Sequence, residues 1–374
     1  MEMSSAAQTP TAENTVTPPT IKRRNWWLLL LYITLAAVGS IGGPLLQRLY
    51  FTHGGNRRWL SSFLLSVGFI VIAPLLSILY LKDVSTKKVN SNTFFMDTKL
   101  IFPSAYLGIL MGIDNYMYSA GLSYIPVSTS SLLFSTQLAF TALFAFFIVK
   151  QKFTFYSFNS VVVLIFGTVV LAFHTSSDRP QGVSKEKYWL GFFLTLGGAV
   201  LFGLILPLIE SAFSKSRKSL NYVMILQFQT MMNLFATLFC TVGMLINNDF
   251  KIIPREARNF DIGEKKYYMV LVGCAVMWQF VLLGVMGVIG CTSSLFAGIL
   301  TSVLLPFTEL AAIVVFQEKF TAEKGMSLAL CLWGFISYFL GEYRKTRKTT
   351  PAVELNVLQS DRNRKTDLER PNHH

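Results

Sequence analysis

The sequence predicts an all-α integral membrane protein of ten transmembrane helices, built as two inverted five-helix repeats. Three observations predict it. The 374-residue chain is 52% hydrophobic and only 14% charged, against about 25% charged in a typical soluble domain. Its apolar runs are roughly twenty residues long and do not alternate with polar residues, which suits helices crossing about 30 Å of hydrocarbon and not the short alternating strands of a barrel. Short motifs of the first half also recur, in order, in the second.

Residues 1–25 are rich in Thr, Ala, Ser and Pro without an apolar core, and read as a disordered cytosolic tail, not a signal peptide. Lys22-Arg23-Arg24 marks the membrane edge. The first repeat, 26–174, holds spans at Trp26 to Leu46, Ser61 to Leu81, Leu100 to Leu122, Val127 to Val149 and Phe155 to Phe173. Only Ser123 to Pro126 parts its third and fourth spans. The second repeat, 189–343, holds spans at Trp189 to Ile209, Tyr222 to Ile246, Tyr267 to Ile289, Ser293 to Phe316 and Ala322 to Tyr343. Gly290 to Thr292 parts the eighth and ninth. Residues 344–374 are charged and read as a second disordered cytosolic tail.

The formal net charge of +13 lies in loops and tails, where it sets topology and meets anionic headgroups; no nucleic acid is expected. With ten spans both termini share a side. That side carries 16 Lys and Arg near the span ends against 13 on the other, so the positive-inside rule favours cytosolic termini by a small excess. Cys240, Cys274, Cys291 and Cys331 all fall in apolar runs and read as small hydrophobes, neither a disulfide framework nor a metal site.

The repeat is explicit in the residues. Thr129-Ser130-Ser131-Leu132 recurs as Thr292-Ser293-Ser294-Leu295 at an offset of 163, a register that also pairs Gly121 with Gly284. At an offset of 167, Phe140-Thr141-Ala142-Leu143 matches Phe307-Thr308-Glu309-Leu310, Lys152-Phe153-Thr154 matches Lys319-Phe320-Thr321, and Gly167 matches Gly334. Five spans per half is an odd number, so the halves cross the membrane in opposite senses. Secondary transporters use such inverted repeats for alternating access. Small residues also recur wherever membrane helices pack, but two blocks held in order make coincidence the weaker account.

Gly43-Pro44-Leu45-Leu46-Gln47-Arg48-Leu49-Tyr50-Phe51, followed by Gly54-Gly55-Asn56-Arg57-Arg58-Trp59-Leu60-Ser61-Ser62, resembles the first-loop signature of the plant purine permeases. Further blocks agree: Pro126 through Thr141 to Lys150-Gln151-Lys152-Phe153-Thr154, Tyr188-Trp189-Leu190-Gly191-Phe192 with Gly203-Leu204-Ile205-Leu206-Pro207-Leu208, and Trp333-Gly334-Phe335-Ile336-Ser337-Tyr338 with Gly341-Glu342. The resemblance implies the drug/metabolite transporter superfamily and proton-coupled import of adenine-like solutes. Cytokinins, caffeine, pyridoxine and alkaloids are relatives' substrates. It also implies an integral membrane location, the plasma membrane first and an internal membrane as the alternative.

Polar side chains are costly in hydrocarbon, so those inside spans are the candidates for chemistry. Asp114, Asn115, Tyr116 and Tyr118 lie in the third span, Gln137 in the fourth, Gln227, Gln229 and Asn233 in the seventh, Trp278 and Gln279 in the eighth, and Glu309 in the ninth. The 163 register sets Asn115 and Tyr116 opposite Trp278 and Gln279. A purine has two π faces for aromatic rings and an edge of mixed donors and acceptors that an amide can read from both sides. Asn115, Tyr116, Tyr118, Gln137, Trp278 and Gln279 are therefore the expected solute ligands. The competing reading of the amides is interhelical glue, which suits Gln229 and Asn233, four residues apart on one face. Gln137 shares a helical stripe with Ser130, Phe134 and Thr141.

Two acids can carry the coupling proton. Glu309 follows Pro306 inside a span, at the position where the first half has Ala142; its alternative role is a structural hydrogen bond. Asp114 is the second, one residue from a proposed ligand, where it could instead read the solute. Glu210 reads as a solvated residue at a helix end.

Other classes fit less well. A primary pump needs a G-x-x-x-x-G-K-[ST] loop and a soluble domain, and the chain has neither. No enzyme, cofactor or metal site is expected, since His53, His174, His373 and His374 lie in loops, span edges or the tail. A heterocycle receptor could share the same aromatic pocket, and solute uptake into empty vesicles separates it from a transporter. A nucleotide-sugar exchanger of the same fold would want Lys or Arg among the span interiors for phosphate. The span interiors have none.

Overall fold

The computed structural model of the chain describes residues 26–70, 98–150, 155–173, 183–215, 222–317 and 325–337, with single positions 74, 320, 322, 340 and 341. Both expected tails, the second half of the second span with the greater part of the loop after it, the Lys152-Phe153-Thr154 block and parts of both ends of the tenth span lie outside these residues. The described chain is α-helical without strands. In order the helices are α1 (Trp26–Thr52), α2 (Arg58–Val67), α3 (Thr98–Tyr124), α4 (Val127–Ser135), α5 (Gln137–Ile148), α6 (Phe155–Phe173), α7 (Lys185–Lys215), α8 (Tyr222–Ile246), α9 (Asp249–Arg258), α10 (Glu264–Cys291), α11 (Ser294–Phe316) and α12 (Gly325–Ser337).

Six of these stretches are long and apolar enough to cross a membrane: Trp26–Thr52, Val127–Ile148, Lys185–Lys215, Met224–Ile246, Glu264–Cys291 and Ser294–Phe316. The second of them joins α4 and α5. Helix α3 is as long as α1, at 27 residues, but Asp114 and Asn115 interrupt its apolar run. The large apolar side chains left exposed along these helices, such as Phe147, Phe193, Val272 and Val314, face what the hydrocarbon would cover.

Helix α1 packs along α10, α3 lies against α2, α7 and α8, α5 lies against α7, and α4 lies against α11. Without a hydrophobic force between helices in lipid, such pairs depend on close backbone approach at small residues. Gly121 of α3 is in that situation against Gly191 and Thr195 of α7, and Gly284 of α10 against Tyr32 and Ala36 of α1; a Cβ at either would collide with the facing helix. These two glycines are the pair matched by the 163 offset. The 167 offset links further features. Ser160 Oγ donates to the Gly334 carbonyl at 2.7 Å while Ser327 Oγ donates to the Gly167 carbonyl at 3.0 Å, tying α6 to α12 reciprocally. Helices α5 and α11 run into left-handed residues, Lys150 (φ 57°) and Gln317 (φ 49°).

Polar side chains fasten the helix ends. Gln47 of α1 donates to Ser61 of α2 at 2.7 Å and to Ser119 of α3 at 2.8 Å. The loop signature before α2 clasps the short helix α9. Arg57 lies 3.5 Å from Asp249 and 3.7 Å from Glu256, and the Glu256 carboxylate also accepts from Tyr50 at 2.5 Å and Tyr267 at 3.2 Å. Burial raises the Asp249 carboxyl above the usual range, against the Asn247 hydrogen bond and the Arg57 charge, which lower it. On the other side of that loop, Arg58 bonds Ser123 and lies 4.4 Å from the centre of the Tyr124 ring.

Glu210 differs from its expectation. Its carboxylate accepts from the Ser294 backbone N–H at 2.9 Å and from the Ser294 hydroxyl, capping the positive N-terminal end of α11. The sequence placed it near a helix end, but which partner the fold would bring there was set by the packing of α7 against α11.

Candidate functional site

A cavity of about 60 Å³ lies where α1, α2, α3, α4, α5, α7, α10 and α11 converge. Helix α3 supplies one wall. Met111, Asp114, Asn115 and Tyr118 all line it, and their spacing of i, i+3, i+4 and i+7 puts them on one helical face. Phe134 enters from the end of α4, Gln137 from the start of α5, Phe202 from α7, Trp278 from α10 and Thr301 from α11.

The fourth span is broken where it meets the cavity. Thr136 N–H bonds the Leu133 carbonyl at 3.2 Å and Ala139 N–H bonds the Thr136 carbonyl at 3.0 Å, a tighter turn than an α-helix makes. Irregular backbone inside a membrane is tolerated where it is buried in protein or lines a cavity. The break changes the phase of the helix, so Phe134 and Gln137 line the cavity with Ser131, while Ser130 and Thr141 of the expected stripe do not. Thr141 instead faces Gly298 of α11.

Aromatic rings form much of the wall. The Tyr118 ring stands edge-on to Phe134 (5.2 Å between centres, 80°) and to Trp278 (5.2 Å, 77°), and Phe134 lies 5.9 Å from Phe202. Such angled arrangements suit aromatic quadrupoles. Gly43 of α1 makes room for the indole, since a Cβ there would reach it at 3.2 Å.

Among these rings sit polar atoms that the protein leaves without a partner. They are Asp114 Oδ1, both side-chain atoms of the Asn115 amide, Gln137 Oε1 and Trp278 Nε1. Gln137 is held in place by its other end, its Nε2 donating to Thr301 Oγ1 at 2.6 Å. Leaving a buried polar group unpaired costs about 1–3 kcal/mol. A set of donors and acceptors converging on one apolar cavity is the usual arrangement of a small-molecule site. Asp114 is the single charged residue of the described lining.

Of the residues expected from the sequence, Asp114, Asn115, Tyr118, Gln137 and Trp278 meet in this cavity. Tyr116, Gln279 and Glu309 lie outside its lining. Tyr116 stacks on Trp59 of α2 with ring centres 4.1 Å apart. Gln279 accepts from Asn233 Nδ2 of α8 at 3.2 Å, and its Cβ abuts Gly68 beyond the end of α2. Glu309 is fully buried on α11, within electrostatic range of Cys331 on α12, whose thiol contacts Ser135 Oγ at 3.0 Å. Gln279→Leu is accordingly expected to leave the Asn233 amide unbonded, lowering thermal stability and the uptake of every solute by the same factor; a changed ranking of solutes would return Gln279 to the site. Sequence reasoning missed Phe202 and Thr301. Neither is polar and isolated enough in its span to stand out.

Helices long and apolar enough to span a bilayer, gathered around a buried aromatic cavity of mixed polarity, are those of an integral membrane protein with a small-molecule site. A family profile described as purine nucleobase transmembrane transport matches residues 27–348. The chain is 45% identical over 319 residues to purine permease 3 of Arabidopsis thaliana, covering 85% of this chain and 91% of that one. It is 45% identical over 335 residues to purine permease 2 of the same plant, covering 86% and 94%, and 35% identical over 320 residues to probable purine permease 11, covering 85% and 83%. The chain belongs to the purine permease family, which places it among transporters and not among enzymes.

Proposed function

We propose that this permease carries purine nucleobases and related planar heterocycles into the cell, driven by protons, through alternating access of two inverted five-helix repeats. The observation that carries the solute is the cavity: aromatic walls for the faces of a flat ring, with the Asn115 amide, Gln137 Oε1, Trp278 Nε1 and Asp114 Oδ1 unpartnered around it. That is the donor and acceptor mixture a purine edge requires. The described lining has no cation to receive phosphate, which argues against a nucleotide-sugar exchanger.

The repeat reading draws support from the Gly121 and Gly284 crossings and from the reciprocal bonds between α6 and α12. On this reading α2, α3, α6 and α12 complete ten spans, both termini are cytosolic, and the plasma membrane is the site of action. For the proton, Asp114 is the acid that lines the cavity, and an isolated ionised carboxylate is costly enough in an apolar interior that it takes up a proton or a counter-charge. Glu309, buried between helices, is the matched alternative.

Competition against labelled adenine uptake, in cells without a carrier of their own, tests the solute reading. Unlabelled purines are expected to compete, and Gln137→Leu is expected to reorder them, because a site built to pair one ring atom rejects analogues that lack it. If Gln137→Leu lowers uptake of all competitors by one common factor, the glutamine is structural and the edge reading fails.

A further inference from the structure

We propose that Thr301 fixes the hydrogen-bonding polarity of the cavity: it holds the Gln137 amide by its NH2 end, so that the solute meets an acceptor there and must bring an N–H to that point. The inference rests on the cavity reading above. Gln137 is the first residue of α5, directly after the tight turn at Thr136, and it lines the cavity together with Thr301 of α11.

An amide has donors at one end and an acceptor at the other, so what it offers a solute depends on which end is tied. Gln137 Nε2 donates to Thr301 Oγ1 at 2.6 Å. The Thr301 hydroxyl has one proton and directs it back at its own helix, with the Ala297 and Gly298 carbonyls each 3.0 Å away. Its oxygen is left to accept. With that partner the Gln137 amide has one orientation, and Oε1 is the end left buried without a bond. Asn115 is the contrast. It lines the same cavity, but neither its Oδ1 nor its Nδ2 is bonded, so it is free to turn either end to the solute. One amide is locked and the other adapts, which makes Gln137 the point at which solutes are sorted. Thr301 is thus a positioning residue that sets specificity through Gln137, and the chemical class it selects is a planar heterocycle with an N–H on the edge that meets α5.

The test is inhibition of labelled adenine uptake by unlabelled adenine, by hypoxanthine and by adenine methylated on its imidazole nitrogen, normalised to surface protein. Hypoxanthine has a carbonyl in place of the exocyclic amine, and the methylated compound lacks the ring N–H. Wild-type protein is expected to reject, relative to adenine, the analogue without the N–H that Gln137 accepts, and Gln137→Leu is expected to lower that ratio. Thr301→Val keeps the shape and removes the hydroxyl; it is expected to reduce the same ratio about tenfold, the order of one hydrogen bond, and to leave the other unchanged. Thr301→Ala is expected to do the same, and carries the test should the valine variant fail to reach the surface. Thr301→Ser keeps the hydroxyl and is expected to keep the wild-type ranking. In a Gln137→Leu background Thr301→Val is expected to change neither ratio, because the two residues act as a pair. Unchanged ratios in the valine and alanine variants, an equal shift in Thr301→Ser, or a shift that persists without Gln137 overturns the inference while leaving the cavity reading intact, provided Gln137→Leu alone changes a ratio. If Gln137→Leu changes neither, both fall.

Discussion

Asp114→Asn is expected to abolish accumulation of adenine against its gradient and its stimulation by external acid, while leaving measurable exchange of labelled for unlabelled solute. An inward proton gains about 1.4 kcal/mol per pH unit and about 2.3 kcal/mol per 100 mV. Either is enough to concentrate a neutral solute about tenfold or more, so losing the coupling group costs the whole of that factor. Exchange requires no net proton release and survives. The asparagine keeps the size of the side chain and removes only its ability to take up a proton. Glu309→Gln is the matched measurement: it is expected to keep acid-stimulated accumulation, because Glu309 lies outside the cavity lining. The reverse pattern, with coupling lost in Glu309→Gln and retained in Asp114→Asn, would move the proton to the α11–α12 side.

Trp278→Ala is the second large effect expected. The indole lines the cavity, stands edge-on to Tyr118, has a buried N–H without a partner in the protein, and packs against Gly43. Base stacking on an aromatic side chain is worth about 1–3 kcal/mol, so KM for a planar heterocycle is expected to rise by about tenfold or more. Trp278→Phe keeps a ring but not the N–H, and is expected to recover part of the loss. Normal kinetics in Trp278→Ala at normal surface expression would remove the residue from the site.

Four of the six expected ligands line this cavity, and helical rotation accounts for the two that do not. The 163 offset paired Asn115 and Tyr116 with Trp278 and Gln279, but neighbouring residues on a helix point about 100° apart, so the two members of a couple meet different surroundings unless the cavity spans that arc, as it does at Asp114 and Asn115. Asn115 and Trp278 line the cavity. Tyr116 turns to Trp59 and Gln279 to Asn233 and Gly68. The spacing of Met111, Asp114, Asn115 and Tyr118 contained that information, and applying the helical period to α3 would have set Tyr116 apart. In the fourth span periodicity was misleading, since the turn at Thr136 interrupts it. No proline or glycine announces that turn. The role of the loop signature was also invisible, because Asp249 and Glu256, which Arg57 meets, come from α9, nearly two hundred residues along the chain.

The spans were read from apolar length, and the long ones were found where expected. Helix α3 shows how a hydropathy criterion can pass over a long helix: Asp114 and Asn115, which line the cavity, are the residues that lower its apolar character. The same conflict between local pattern and fold is expected at working sites.

Reconstitution of the purified protein into sealed vesicles, with an inward proton gradient and labelled adenine outside, tests the central claim most directly. The account predicts accumulation of adenine above the external concentration, collapse of that accumulation on adding an uncoupler, and loss of it in Asp114→Asn. Adenine bound only in proportion to the protein, with no uptake into the vesicle lumen, would contradict it and make the cavity the site of a receptor.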